Sequence, residues 1–118
     1  MEIPLTDIID RLSILKLKME RIGEKEFRDE FDAYQVALTE FENKGVRIRR
    51  EWLVLLYEIN KETWDLTIAL REASEKENGL EEMGRLHIQR LILNKKRVAI
   101  KNEIADETGS GSRDIEMN

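Results

Sequence analysis

The chain has 118 residues, 41% hydrophobic and 38% charged, a size for one domain with a single core under a heavily charged surface. It carries no cysteine and one histidine, which excludes disulfides, thiolate metal sites and any multi-histidine metal centre within one chain. The formal net charge of −5 hides an uneven layout: residues 24–44 hold seven acids against three bases, whereas residues 85–101 hold six bases and no acid.

The opening Met1-Glu2-Ile3-Pro4 runs straight into a charged amphipathic segment, unlike a secretory signal. The apolar run Leu53–Tyr57 is far too short to span a bilayer. Together these predict a cytoplasmic protein with no membrane contact. High charge with two glutamines and no cysteine also suits a heat-adapted protein.

The first predicted helix carries Met1, Leu5, Ile8, Leu12, Leu15, Met19 and Ile22 at the 4-3-4-3 spacing of a coiled-coil seam. Thr6 is its predicted N-cap, Asp7 and Asp10 lie near its positive end, and Gly23 is a left-handed terminator. The second runs over about 24–44, with Phe27, Phe31, Tyr34, Leu38 and Phe41 on its seam and Gly45 closing it. The third is expected over 46–77, roughly 48 Å of helix, on the seam Trp52, Leu56, Ile59, Thr63, Leu66, Leu70 and Ala73. Asn78-Gly79 turns the chain back.

The fourth helix is expected over 80–107, with Leu86, Leu91, Leu93, Val98, Ile100 and Ile104 apolar. After it, the Ser/Gly segment suggests a flexible or docking tail over 109–118, in which Ile115 and Met117 alternate with charge like a short strand. The fold class is all-α: an antiparallel bundle of three to four helices, two of them long, formed by residues 1–108. A long helical hairpin leaves part of its seam open, so a homodimer is expected.

The first helix reads Ile9-Asp10-Arg11-Leu12-Ser13-Ile14-Leu15-Lys16-Leu17-Lys18. It resembles a D-[KR]-L-[ST]-I-L-x-[IL]-K opening found in helical families known only as domains of unknown function. Asn60 and Trp64 are similar to the N-x-x-L-W element of one of them, with Thr63 in place of the leucine. The stretch from Asn94 to Lys101 resembles its N-D-x-R-x-x-[IL]-K element, with Lys95 in place of the acid. The resemblance implies an all-helical fold and a shared site or interface, and no assigned activity.

Three constellations carry chemistry. On the fourth helix His87, Asn94 and Lys101 fall seven apart, in register with Leu91, Val98 and Ala105, so polar groups interrupt an expected buried stripe. Arg90 and Arg97 repeat on the adjacent row. Buried, such groups need partners or a ligand. The expected site is therefore a polar, anion-binding pocket of a non-catalytic binding or assembly module, formed by Asp10, Asn60, Trp64, Asn94, Arg97 and Lys101 for a phosphate or carboxylate. The opposing expectation is a satisfied polar layer that only fixes helix register.

The second constellation is acidic: Glu58, Glu62 and Asp65 on the third helix with Glu103 and Asp106 on the fourth. Carboxylates from facing helices can hold Mg²⁺, as in an all-α nucleotide pyrophosphohydrolase. That is the one alternative needing a cofactor, and a solvated salt-bridged face is the plain reading of the same spacing. The third is the basic run over 85–101, which nucleic acid would favour. No aromatic on that helix can stack a base, and the acidic second helix offers an internal partner for the charge, so nucleic acid is not the expected partner.

Overall fold

In the computed structural model, which describes residues 3–109, the four segments are α1 (Leu5–Arg21), α2 (Glu24–Asn43), α3 (Arg50–Ser74) and α4 (Leu80–Thr108), with no strand among the described residues. No described helix is long and apolar enough to cross a membrane. The expectations for Ile115 and Met117 in the tail lie outside the described residues.

Several boundaries differ from those expected. α1 begins ahead of Thr6, because the Pro4 carbonyl accepts the N–H groups of Asp7 (3.0 Å) and Ile8 (3.1 Å) and so opens the first turn. Thr6 lies inside that turn, buried, and is not the cap. Gly23 is extended rather than left-handed, with φ 161°; α1 is closed by Ile22 as its C-cap, whose N–H reaches the Lys18 carbonyl at 2.7 Å. Gly45 does take the left-handed conformation, at φ 92°. α3 starts only at Arg50: residues 46–49 are not helical, Arg49 is extended, and Val46 and Ile48 pack against the core. With 25 residues it is about 37 Å long, shorter than expected.

α1 is the hub. It packs against each of the other three helices, whereas α2 approaches only α1. That position explains why α1 buries two rows rather than one. The expected seam holds, with Leu5, Ile8, Leu12 and Leu15 all buried, although Ile22 at its end is exposed. A second row, Thr6, Asp10, Ser13 and Leu17, is buried too, again at 4-3-4 spacing. Leu5, Ile8, Ile9 and Leu12 meet Leu38 of α2, Trp52 and Leu56 of α3 and Ile104 of α4 in the main core. Trp52 is fully buried, and its indole N–H donates to Glu103 at 3.0 Å.

The α3–α4 hairpin outruns this core. Side-chain hydrogen bonds tie α1 to Asp65 of α3 and to Arg97 of α4. Beyond them Leu70, Ala73 and Leu86 form a separate small cluster with Leu66, Ala69 and Met83, all from the hairpin itself. The radius of gyration is 16.3 Å, against about 13–14 Å for a compact domain of this length.

Candidate functional site

The row of α4 expected to turn inward does so only at its end, where Lys101 and Ala105 are shielded. His87, Leu91 and Asn94 are exposed, Leu91 at 62%, while Leu86, Leu93 and Ile104 are buried and Ile100 packs on the core. The inward seam is therefore Leu86, Leu93, Arg97, Ile100 and Ile104, one row over, with the exposed Arg90 holding the place between Leu86 and Leu93. An apolar count alone cannot see this seam, because the two arginines break it.

The deeper arginine is ion-paired. Arg97 lies side-on to Asp10, Nε donating to Oδ1 at 3.3 Å and Nη2 donating to Oδ2. Asp10 is only 6% exposed. Asn60 of α3 donates its side-chain N–H groups to Asp10 Oδ1 (3.1 Å) and to Ser13 Oγ (2.9 Å), and Ser13 donates to the Asp10 carbonyl at 2.6 Å. One polar layer thus joins three helices, and no buried side-chain N or O among the described residues lacks a partner. Ser13 is the member that sequence reasoning missed. Its signal was the second row of α1, three residues beyond Asp10.

Above this layer lies a cleft of about 430 Å³ between α3 and α4, lined by Asn60, Thr63, His87, Arg90, Leu91, Asn94 and Arg97. Its size is in the range of small-molecule sites. Of the six residues expected to share a pocket, Asn60, Asn94 and Arg97 line it, and Asp10 braces it from below. The other two lie elsewhere. Lys101 sits a turn further on, its Nζ 3.5 Å from Asp7. Trp64 lies under the Arg21 guanidinium, 5.4 Å from ring centre to Cζ. Thr63, His87, Arg90 and Leu91 complete the lining.

Charge in the cleft comes from Arg90. Lys101–Asp7 and Arg97–Asp10 set an antiparallel register between α4 and α1, in which position 90 falls level with Leu17. No acid answers it there, and Arg90 has no ion-pair partner among the described residues.

The five acids of the metal alternative are not brought together. Glu103 accepts from Trp52, Asp65 accepts from Arg21 at 2.6 Å, Glu62 lies with Asp65 on the opposite flank of the hairpin, and Glu58 faces the groove between α2 and α3. Asp106 lies with Glu103 near the end of α4. No group of three or more His, Asp or Glu converges on a metal-sized site among the described residues. The Arg21 hydrogen bond holds the Asp65 carboxyl below its ordinary 3.8. The basic run is likewise dispersed, because Arg97 and Lys101 turn inward to Asp10 and Asp7. The internal neutralisation expected from α2 is not made: α2 does not approach α4.

Comparison with protein families, with curated proteins and with solved structures finds no match to this chain.

Proposed function

We propose that the chain is a non-catalytic binding module whose α3–α4 cleft takes a small ligand through a phosphate or carboxylate group. The observation that carries this is Arg90, a guanidinium on the cleft wall with no acidic partner among the described residues. Arg97 supports it differently. Asp10 engages Nε and Nη2 only, so the Nη1 donors stay available on an arm held in place. Asn94, Thr63 and His87 surround the two arginines with further hydrogen-bonding groups. A planar guanidinium fork suits the paired oxygens of either anion.

Thermal unfolding in the presence of inorganic phosphate, pyrophosphate or citrate tests the assignment. An anion at ten times its Kd raises stability by about 1.4 kcal/mol, a rise in Tm of roughly 5 °C for a domain of this size. Arg90→Met should abolish that rise while leaving helical content unchanged. No stabilisation by any of the three anions, or an undiminished one in the variant, defeats the assignment. Nucleoside triphosphates with Mg²⁺ should release no pyrophosphate, since the five acids stand apart.

A further inference from the structure

The two walls of the α3–α4 cleft differ in what they offer a ligand. Asn60 spends both hydrogens of its side-chain amide inside the protein, on Asp10 Oδ1 (3.1 Å) and Ser13 Oγ (2.9 Å). Its own Oδ1 accepts from no described residue. Since no buried side-chain N or O among the described residues lacks a partner, that oxygen is open to solvent. One turn further along α3, the Thr63 hydroxyl donates its single hydrogen to the Ile59 carbonyl at 2.8 Å, which leaves Oγ1 only lone pairs to offer. The α3 wall thus presents two acceptors, about 4.5 Å apart along the helix axis. The α4 wall presents donors: Arg97 Nη1, the guanidinium of Arg90 and, between them, the exposed amide of Asn94.

The register of the hairpin orders these groups. Asn60 and Arg97 meet on the same Asp10 oxygen, while further out Leu70 and Ala73 cluster with Met83 and Leu86. In that antiparallel register Thr63 stands level with Asn94, and Arg90 lies a turn beyond, toward the outer end. An ionised phosphate or carboxylate alone fits only part of such a cleft. Its oxygens accept, which suits Arg90, whereas Asn60 Oδ1 and Thr63 Oγ1 would repel them. A hydroxyl both donates and accepts, so it bridges an acceptor wall and a donor wall at once. Adjacent hydroxyls do this in succession, between Asn60 and Arg97 and then between Thr63 and Asn94. A nucleobase matches less well, because no aromatic side chain lines the cleft to stack it.

Granting the anion site at Arg90, we propose that the ligand is a small polyol bearing one anionic group. Its hydroxyls lie between the walls and its phosphate or carboxylate lies at Arg90.

Calorimetric titration with glucose 6-phosphate, ribose 5-phosphate and gluconate, against inorganic phosphate and glucose, tests this. At least one of the first three should bind about tenfold more tightly than inorganic phosphate, the scale of two further hydrogen bonds. The sugar phosphates set against gluconate show which anion Arg90 takes. Thr63→Val with Asn94→Leu should bring the preference over inorganic phosphate close to unity at unchanged helical content. Inorganic phosphate bound as tightly as all three overturns the polyol and leaves the anion site standing. Glucose bound as tightly as its phosphate overturns the anionic group. A preference that survives the paired substitution overturns the seating between the walls, and binding of none of the five compounds overturns the anion site as well.

Discussion

At the scale of single residues, the polar layer fixes the order of mutational costs. Asp10→Leu leaves the Arg97 guanidinium part-buried without its carboxylate and deprives Asn60 of an acceptor. We expect it to lower stability by about 3 kcal/mol in urea unfolding, the scale of a broken buried pair. Adding Arg97→Met to Asp10→Leu should recover most of that loss, because an apolar pair of similar volume replaces the ion pair. If the double variant is no more stable than the single one, the layer contributes through more than this pair. The exposed pairs on α1 are lost only at the extremes of pH. Asp65 is held below 3.8 by Arg21, so the contact adds stability above that pH and loses it as pH falls further. The Tyr57 hydroxyl donates to Glu20 at 2.5 Å, which raises Tyr57 above 10.0; that contact is present below pH 10 and is lost as pH rises past it. Asp65→Asn should therefore flatten only the acid limb of a stability–pH curve, and Tyr57→Phe only the alkaline limb.

At the scale of elements, the sharp point is the α3–α4 turn. Gly79 has an ordinary φ of −85°, so freedom of the backbone is not what the position requires. A Cβ there would overlap the Ala73 carbonyl, which also accepts the Lys76 N–H at 3.1 Å. Gly79→Ala is expected to lower stability by about 2 kcal/mol, since backbone rather than a pliable side chain must move. Gly84, on the exposed outside of α4 with nothing within 4 Å of its added Cβ, gives the control. Gly84→Ala should stabilise by about 0.5–1 kcal/mol through helix propensity. Equal effects of the two substitutions in thermal unfolding would contradict the close approach at Gly79.

At the scale of the whole molecule, the chain divides into a packed base and a projecting hairpin. α1 gathers the base around Trp52, whereas Leu66, Ala69, Leu70 and Ala73 of α3 cluster with Met83 and Leu86 of α4. Native-state hydrogen exchange should show the slowest amides in α1 and the first half of α3, and faster exchange over residues 66–93. Uniform protection at low concentration would show that the hairpin is as stable as the base.

Repeated apolar spacing by itself determined the four helices and most of their seams. Leu5, Ile8, Leu12 and Leu15, and likewise Trp52, Leu56, Ile59, Leu70 and Ala73, are buried as that spacing requires, because a stripe at 3.5 residues can be hidden only against another helix. Asp10, Asn60 and Arg97 were legible as polar groups near such stripes, and they do meet. Tertiary structure alone decided which row of α4 turns inward, because Leu86, Arg90, Leu93 and Arg97 mix apolar and charged residues and the neighbouring row is no more polar. It also decided that α1 lies at the centre with two buried rows, a consequence of three partners rather than of any local preference. The placing of Lys101 on Asp7 and of Trp64 beneath Arg21, away from the cleft, depends on how far α1 runs along its neighbours, which no spacing within a single helix encodes.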